Sequence, residues 1–297
     1  MLDRLRLAYL GLALAACSSG DGAAPTTPAN DAGGAAPAAA AGTGSEAGVG
    51  SGSDVREAGA PAGPYRTAVL ADAPVAYWRF GETSGATARD EIGNAHPGTF
   101  YGSYERGVPG ITGEDLAASF DGATGCVGIG SFFHFPGRVA FSVEAWVKLS
   151  SYGAEGTRIV STEGVRDGNR SGWNLSASYG DTGYPYFDAW NSNTWVMGAY
   201  SSTSPDDGKL KLGQWSYLVG TFDDAAEEIW VDGVLRNHIK QTSLGRPDDG
   251  FLTIGCEGTG SGRIDLAAKG AVDEVAIYDK VLTPAQIANH WGLGRAP

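Results

Sequence analysis

Between Trp173 and Tyr200 the chain gathers Trp173, Tyr179, Tyr184, Tyr186, Trp190, Trp195 and Tyr200, interleaved with Asn174, Asp188, Asn191 and Asn193. Flat aromatic faces stack on the C–H faces of sugar rings, and amide or carboxylate groups beside them take the hydroxyl hydrogen bonds. Trp173, Tyr186, Trp190 and Trp195 are therefore the candidate ligand-binding residues. The same rings could instead fill a sandwich core, where inward positions need large side chains, and half or more of them are expected there. Trp146 stands on the polar side of its strand and is open to both uses.

Bond cleavage is poorly served by comparison. A retaining glycosidase needs two carboxylates about 5 Å apart, and on one strand these would occupy alternate positions. Asp223-Asp224 and Glu227-Glu228 are adjacent pairs at an expected turn, Asp273-Glu274 should point to opposite faces, and no Glu-x-Asp-x-Glu string occurs. There is no Gly-x-Ser-x-Gly elbow, no His-Glu-x-x-His pair and no phosphate-binding glycine loop. His96, His134, His238 and His290 are far apart, and each is expected to be a surface or hydrogen-bonded residue rather than a catalytic base. No catalytic residue is assigned, and the chain is not expected to be an enzyme.

The elements that must carry these groups are short strands. From Pro64 onward, alternating runs are separated by Gly, Asp and Asn clusters, which is an all-β pattern. In FSVEAWVK, Phe141, Val143, Ala145 and Val147 share one face while Ser142, Glu144, Trp146 and Lys148 share the other, as in a half-buried strand. WSYLVGTF and EIWV are further strands, and Asp232-Gly233 supplies the positive φ angles of a tight hairpin turn after Val231. GWNLSASY, YPYFDAW, TWVMGAY, FLTIG and AVDEVAIY complete the set, so two packed antiparallel sheets or a jelly roll are predicted. The clearest helix runs from Thr283 to Trp291, with Thr283 as cap, Pro284 in the first position, Gln286 three after the cap and Gly292 as stop. It should lie outside the sandwich, pinned by Ile287 and Trp291. A shorter helical turn is expected around Tyr65 to Leu70.

The 297 residues carry a formal net charge of −13 with no basic run, which disfavours nucleic acid and anionic lipid as partners. Neutral glycans and bound cations remain compatible. Residues 18–63 are nearly all Ala, Gly, Pro, Ser and Thr, too poor in apolar area to offset the entropy of ordering. They are expected to be a disordered tether of about 40 Å mean span, ahead of a single folded domain over 64–297.

Leu14-Ala15-Ala16-Cys17, after the apolar run Leu7 to Ala16 and the basic Arg4 and Arg6, resembles a bacterial lipobox. The resemblance implies a signal peptide over 1–16, lipidation of Cys17, and a chain held at the membrane only by that anchor. Ser18 after the Cys resembles the sorting pattern for the outer membrane. An ordinary cleaved secretory signal with an incidental Cys is the competing reading. With Cys17 given to lipid, Cys126 and Cys256 remain as an even pair in an exported protein, and a disulfide between them is expected; two separate buried thiols are the alternative.

Several segments, in order, resemble the LamG-like jelly-roll family of the concanavalin A-like lectin/glucanase superfamily. They are AVLADAPVAYWRFGETSGATARDEIGNAHPGTF, LAASFDGATGCVGIG, FSVEAWVKL, LGQWSYLVGTFDDAAEEIWVDGVL, FLTIG and AVDEVAIYDKVLTPAQIANHW, together spanning residues 65 to 294. The resemblance implies two antiparallel sheets with the first and last strands adjacent, and a structural calcium at the sandwich rim. Carried onto this chain, the calcium ligands would be Asp90, Asn94 and Asp273, with Glu82 a weaker candidate; calcium needs six to eight oxygens. Asp and Asn also form turns without any ion. Two functions follow as expectations: a non-catalytic carbohydrate-binding module, or a module that contacts an envelope protein as adhesin or scaffold.

Overall fold

The computed structural model describes residues 63–296 apart from 113–114, 138, 167–168, 192–193, 202–207, 224–225, 241–249 and 259–263. The expected signal peptide 1–16, Cys17 and the tether up to residue 62 lie outside the described residues.

The alternating runs form two antiparallel sheets. The first has the spatial order β15 (Val234–Lys240), β14 (Ala226–Val231), β13 (Ser216–Phe222), β7 (Phe141–Ser151), β19 (Lys269–Tyr278), β5 (Leu116–Asp121) and β4 (Tyr104–Pro109), with β1 (Ala76–Trp78) also on β19. The second runs β12 (Thr194–Tyr200), β11 (Tyr186–Asn191), β10 (Asn169–Tyr179), β8 (Gly156–Ser161), β16 (Leu252–Ile254), β6 (Cys126–Gly130), β3 (Gly98–Tyr101) and β2 (Thr87–Ala88), with β9 (Gly164–Arg166) on β10. A separate ribbon pairs β17 (Glu257–Gly258) with β18 (Ile264–Asp265). As expected, the first and last strands are neighbours, with Ala76 opposite Ile277. Asp232 and Gly233 take φ of 53° and 75° and turn β14 into β15.

Between the sheets Phe141 is the hub of an aromatic core, stacked 4.3 Å from Phe135 and 5.2 and 5.7 Å from Trp173 and Phe187. Gly220 of β13 lets Phe187 approach, since a Cβ there would sit 2.4 Å from its ring. Cys126 and Cys256, placed by the adjacent strands β6 and β16, form a disulfide with their Cα atoms 5.5 Å apart.

Two helices cover the outer face of the first sheet: α1 (Pro64–Ala71) and α2 (Pro284–Gly294). Thr283 and Gln286 form the reciprocal capping box that the sequence predicts. Gly292 does not stop α2, which runs on to Gly294; there the absent side chain admits Trp146, whose ring lies 2.2 Å from where a Cβ would be. Under the helices Tyr65, Val69, Tyr77, Trp146, Tyr217 and Ile287 form a second apolar cluster. The half-buried reading of FSVEAWVK is corrected here: Glu144 and Trp146, on the expected solvent face, are 0% and 1% exposed because the helices cap that face. Glu144 keeps partners for its charge, accepting from Tyr217 and Tyr278 and lying 3.0 Å from His290 Nδ1.

Candidate functional site

The second sheet sends Ile159, Trp173, Leu175, Phe187 and Ala189 into the core. Strand alternation then turns Asn174, Ser176, Tyr186, Asp188 and Trp190 to the opposite face. Arg158 of β8 joins them, because register shifts around Ser176 set that serine opposite Arg158.

Four ionisable side chains close a ring on this face. Arg158 donates Nη2 to Glu163 at 2.8 Å and Nε to Glu257 at 3.1 Å. Arg170 binds the same two acids, through Nε to Glu163 at 2.8 Å and Nη2 to Glu257 at 2.7 Å. Arg158, Glu163 and Glu257 are buried, where a charge persists only with partners and hydrogen bonds of this kind. Beside the ring, Asn174 Nδ2 donates to Glu163 at 2.8 Å and to Asp188, while its oxygen accepts from Ser176 at 2.7 Å, which fixes the amide's orientation. Burial pushes Glu163 up to about 8, against the pull of Arg158 and Arg170 and helped by Asp188 and Glu257. Burial alone would lower Arg158; Glu163, Asp188 and Glu257 outweigh it and raise the guanidinium.

Aromatic rings flank the polar centre. Trp190 and Tyr186 lie on either side of Asp188 along β11. Trp190 is partly exposed, faces the Arg170 guanidinium at 5.1 Å, and its indole N–H has no hydrogen-bond partner among the described residues. Tyr186 lies against Arg158 at 5.4 Å and stacks on Tyr200 at 4.9 Å, with the exposed Tyr179 edge-on to both.

Of the residues expected to bind ligand, Tyr186 and Trp190 are thus brought onto one face. Trp173 is not: it occupies an inward position, 1% exposed between Phe141 and Phe187, and donates its indole N–H to Phe133 O at 2.8 Å. The Trp195 side chain lies outside the described residues. Arg158, Glu163, Arg170 and Glu257 were missed in the sequence. Their one signal is a charge inside the strand run Thr157-Arg158-Ile159-Val160; the partners are 5 and 99 positions away from Arg158.

The structure divides the expected calcium ligands between two groups. Both oxygens of Asp90 are committed, one to Tyr77 N at 3.0 Å and Ile92 N at 2.9 Å, the other to His96 N at 3.1 Å and Nδ1 at 3.0 Å. Asn94 accepts from Asp90 N at 3.3 Å, with φ of 54°, so the pair closes a turn. Glu82 accepts from Arg89 N at 2.7 Å. Asp273 belongs to another group, with Asp115 and Glu274, into which Arg79 inserts its guanidinium.

Two sheets, a helix-covered face and a polar face edged by aromatic rings define a lectin-type jelly roll. The profile of the Laminin_G_3 family, described as concanavalin A-like lectin/glucanases superfamily, matches residues 121–288, more than half of the chain, and the protein belongs to that family. Similar solved structures include domain 4 of AbnA, a GH43 extracellular arabinanase from Geobacillus stearothermophilus, in complex with arabinotriose. That match has 20% identity and a TM-score of 0.56, covering 73% of this chain and 97% of that one. The binding domain of Paraclostridial Mosquitocidal Protein 1 matches at 10% identity and TM-score 0.53, over 72% of this chain and 50% of that one. The botulinum neurotoxin serotype G binding domain matches at 12% and 0.52, over 74% and 50%. These likenesses show the shared fold. No curated protein sequence matches the chain.

Proposed function

We propose that the protein is a bacterial lipoprotein, anchored through Cys17 at the outer membrane, whose jelly roll binds carbohydrate on the outward face of the second sheet without cleaving it. The observation that carries this reading is the pair of accessible aromatic edges, partly exposed Trp190 at one end and exposed Tyr179 with half-buried Tyr200 at the other, flanking a polar centre whose Tyr186, Asn174 and Asp188 are themselves buried. Both guanidinium groups described there are already forked onto carboxylates, and acids outnumber bases, so the matched ligand is a neutral oligosaccharide. The arabinotriose held by the arabinanase domain of the same fold supports that ligand class. Asn174's amide contacts both Glu163 and Asp188, and Glu163 is tied to two arginines, so neither of these two acids is free to act in hydrolysis.

A glycan array followed by calorimetry tests the reading. Neutral oligosaccharides should bind, and Trp190→Ala should weaken them by about tenfold or more, the worth of one stacked ring, with an unchanged circular dichroism spectrum. Undiminished binding by Trp190→Ala would defeat it. Silence on the array with a co-purifying envelope protein would replace it with protein adhesion.

A further inference from the structure

The rim of the first sheet holds Asp115, Asp273 and Glu274 so close that one carboxylate oxygen from each lies within 4.8 Å of the others. Asp273 and Glu274 are adjacent in sequence, and regular alternation would send them to opposite faces. A register shift in β19 between Asp273 and Ala276, with Glu274 at φ 51°, brings them into one group. A bulky side chain at positive φ persists only where its surroundings hold it there. Three carboxyl groups so near one another either take up protons or share a cation.

We infer that the Arg79 guanidinium is that cation, doing at the rim the cross-linking work of a divalent ion, so that this sandwich is stable without calcium. Arg79, just after β1, donates Nε to Glu274 Oε1 at 2.9 Å and pairs Nη2 with Asp115 Oδ1 at 2.8 Å. Its planar fork matches two carboxylates at once, which a lysine ammonium does not. The remaining acceptors are largely taken as well: Tyr77 donates its hydroxyl to Glu274 Oε2, and Ile111 N donates to Asp273 Oδ2 at 3.1 Å. Calcium would demand six to eight oxygens at about 2.3–2.6 Å, whereas these oxygens already face N–H and O–H donors. The guanidinium therefore joins three pieces of the rim: the end of β1, Asp115 just ahead of β5, and β19. Asp273 Oδ1, buried and without a partner, is the vertex the fork leaves open. Removing Arg79 should uncover a cation site that the native chain keeps closed.

Thermal unfolding of the full chain in chelator, in millimolar calcium and in millimolar magnesium tests the inference. The native protein should melt at the same temperature in all three. Arg79→Ala should melt lower by roughly 5 °C or more in chelator, since it strands buried carboxylates, and calcium should restore much of the loss. A native melting temperature that climbs with calcium would overturn the inference, and so would an Arg79→Ala protein that calcium leaves unchanged. If Arg79→Ala folds only when refolded in calcium, the inference stands. If it folds in neither condition, Arg79→Gln, which keeps more of the side chain's bulk, is judged by the same two criteria.

Discussion

At Glu163 a carboxyl group sits inside a buried ring of two arginines and a second glutamate, with its proton affinity raised to about 8 from an ordinary 4.5. Across that interval the native state retains a proton that the unfolded state has released. Unfolding free energy therefore declines as pH rises through the window and is greatest on its acid side. Urea midpoints measured from about pH 5 to pH 8 should fall, and Glu163→Gln, which has no proton to lose, should show a flatter profile. Equal slopes in the two proteins would refute the assignment. At this scale the sequence revealed the aromatic members of the face and hid its charged ones. Tyr186 and Trp190 alternate visibly with Asp188 in one short run, whereas the partners of Arg158 come from a neighbouring loop and from β17, and no local pattern announces them.

At the scale of elements, α2 shows what local signals can and cannot say. Its start is written in Thr283, Pro284 and Gln286, because capping is satisfied within one turn. What it covers is not, because alternation along β7 sorts residues by face without saying what lies over each face. His290 is the bolt: Nδ1 lies 3.0 Å from Glu144 in β7, and Nε2 lies 3.0 Å from Asp72 at the end of α1. Burial would lower its proton affinity, but Glu144 and then Asp72 outweigh burial and raise it, so the imidazolium form is favoured. His290→Ala would leave Glu144 buried without its cation and should cost about 3 kcal/mol in chemical denaturation, with glycan binding intact in the protein that remains folded. A loss well under about 1 kcal/mol would mean that Tyr217 and Tyr278 suffice to hold the charge. The bulge at Asp273 is the second feature outside the reach of alternation: a single register shift reverses which face a residue occupies.

For the whole molecule, the order of strand-like segments was enough to anticipate a two-sheet sandwich, since each run is short, amphipathic and closed by turn residues. The disulfide followed from cysteine parity and from the flanking strands, which turn out to be neighbours. Its sequence separation of 130 makes it a long-range constraint. On the chain-entropy account it contributes about 4–5 kcal/mol, so reduction, or paired Cys126→Ser and Cys256→Ser replacement, should lower the melting temperature by roughly 10 °C. Calorimetry with and without reductant checks this, and coincident melting curves would show the bridge to be dispensable. One further consequence lies in where the backbone joins the sandwich. Pro64 opens α1 on the helix-clad face of the first sheet, whereas Trp190 stands on the far face of the second. Traction applied at Pro64 would peel Tyr65 and Val69 from their bed before any force reached the arginines, so mechanical load would enter on the side away from the aromatic surface.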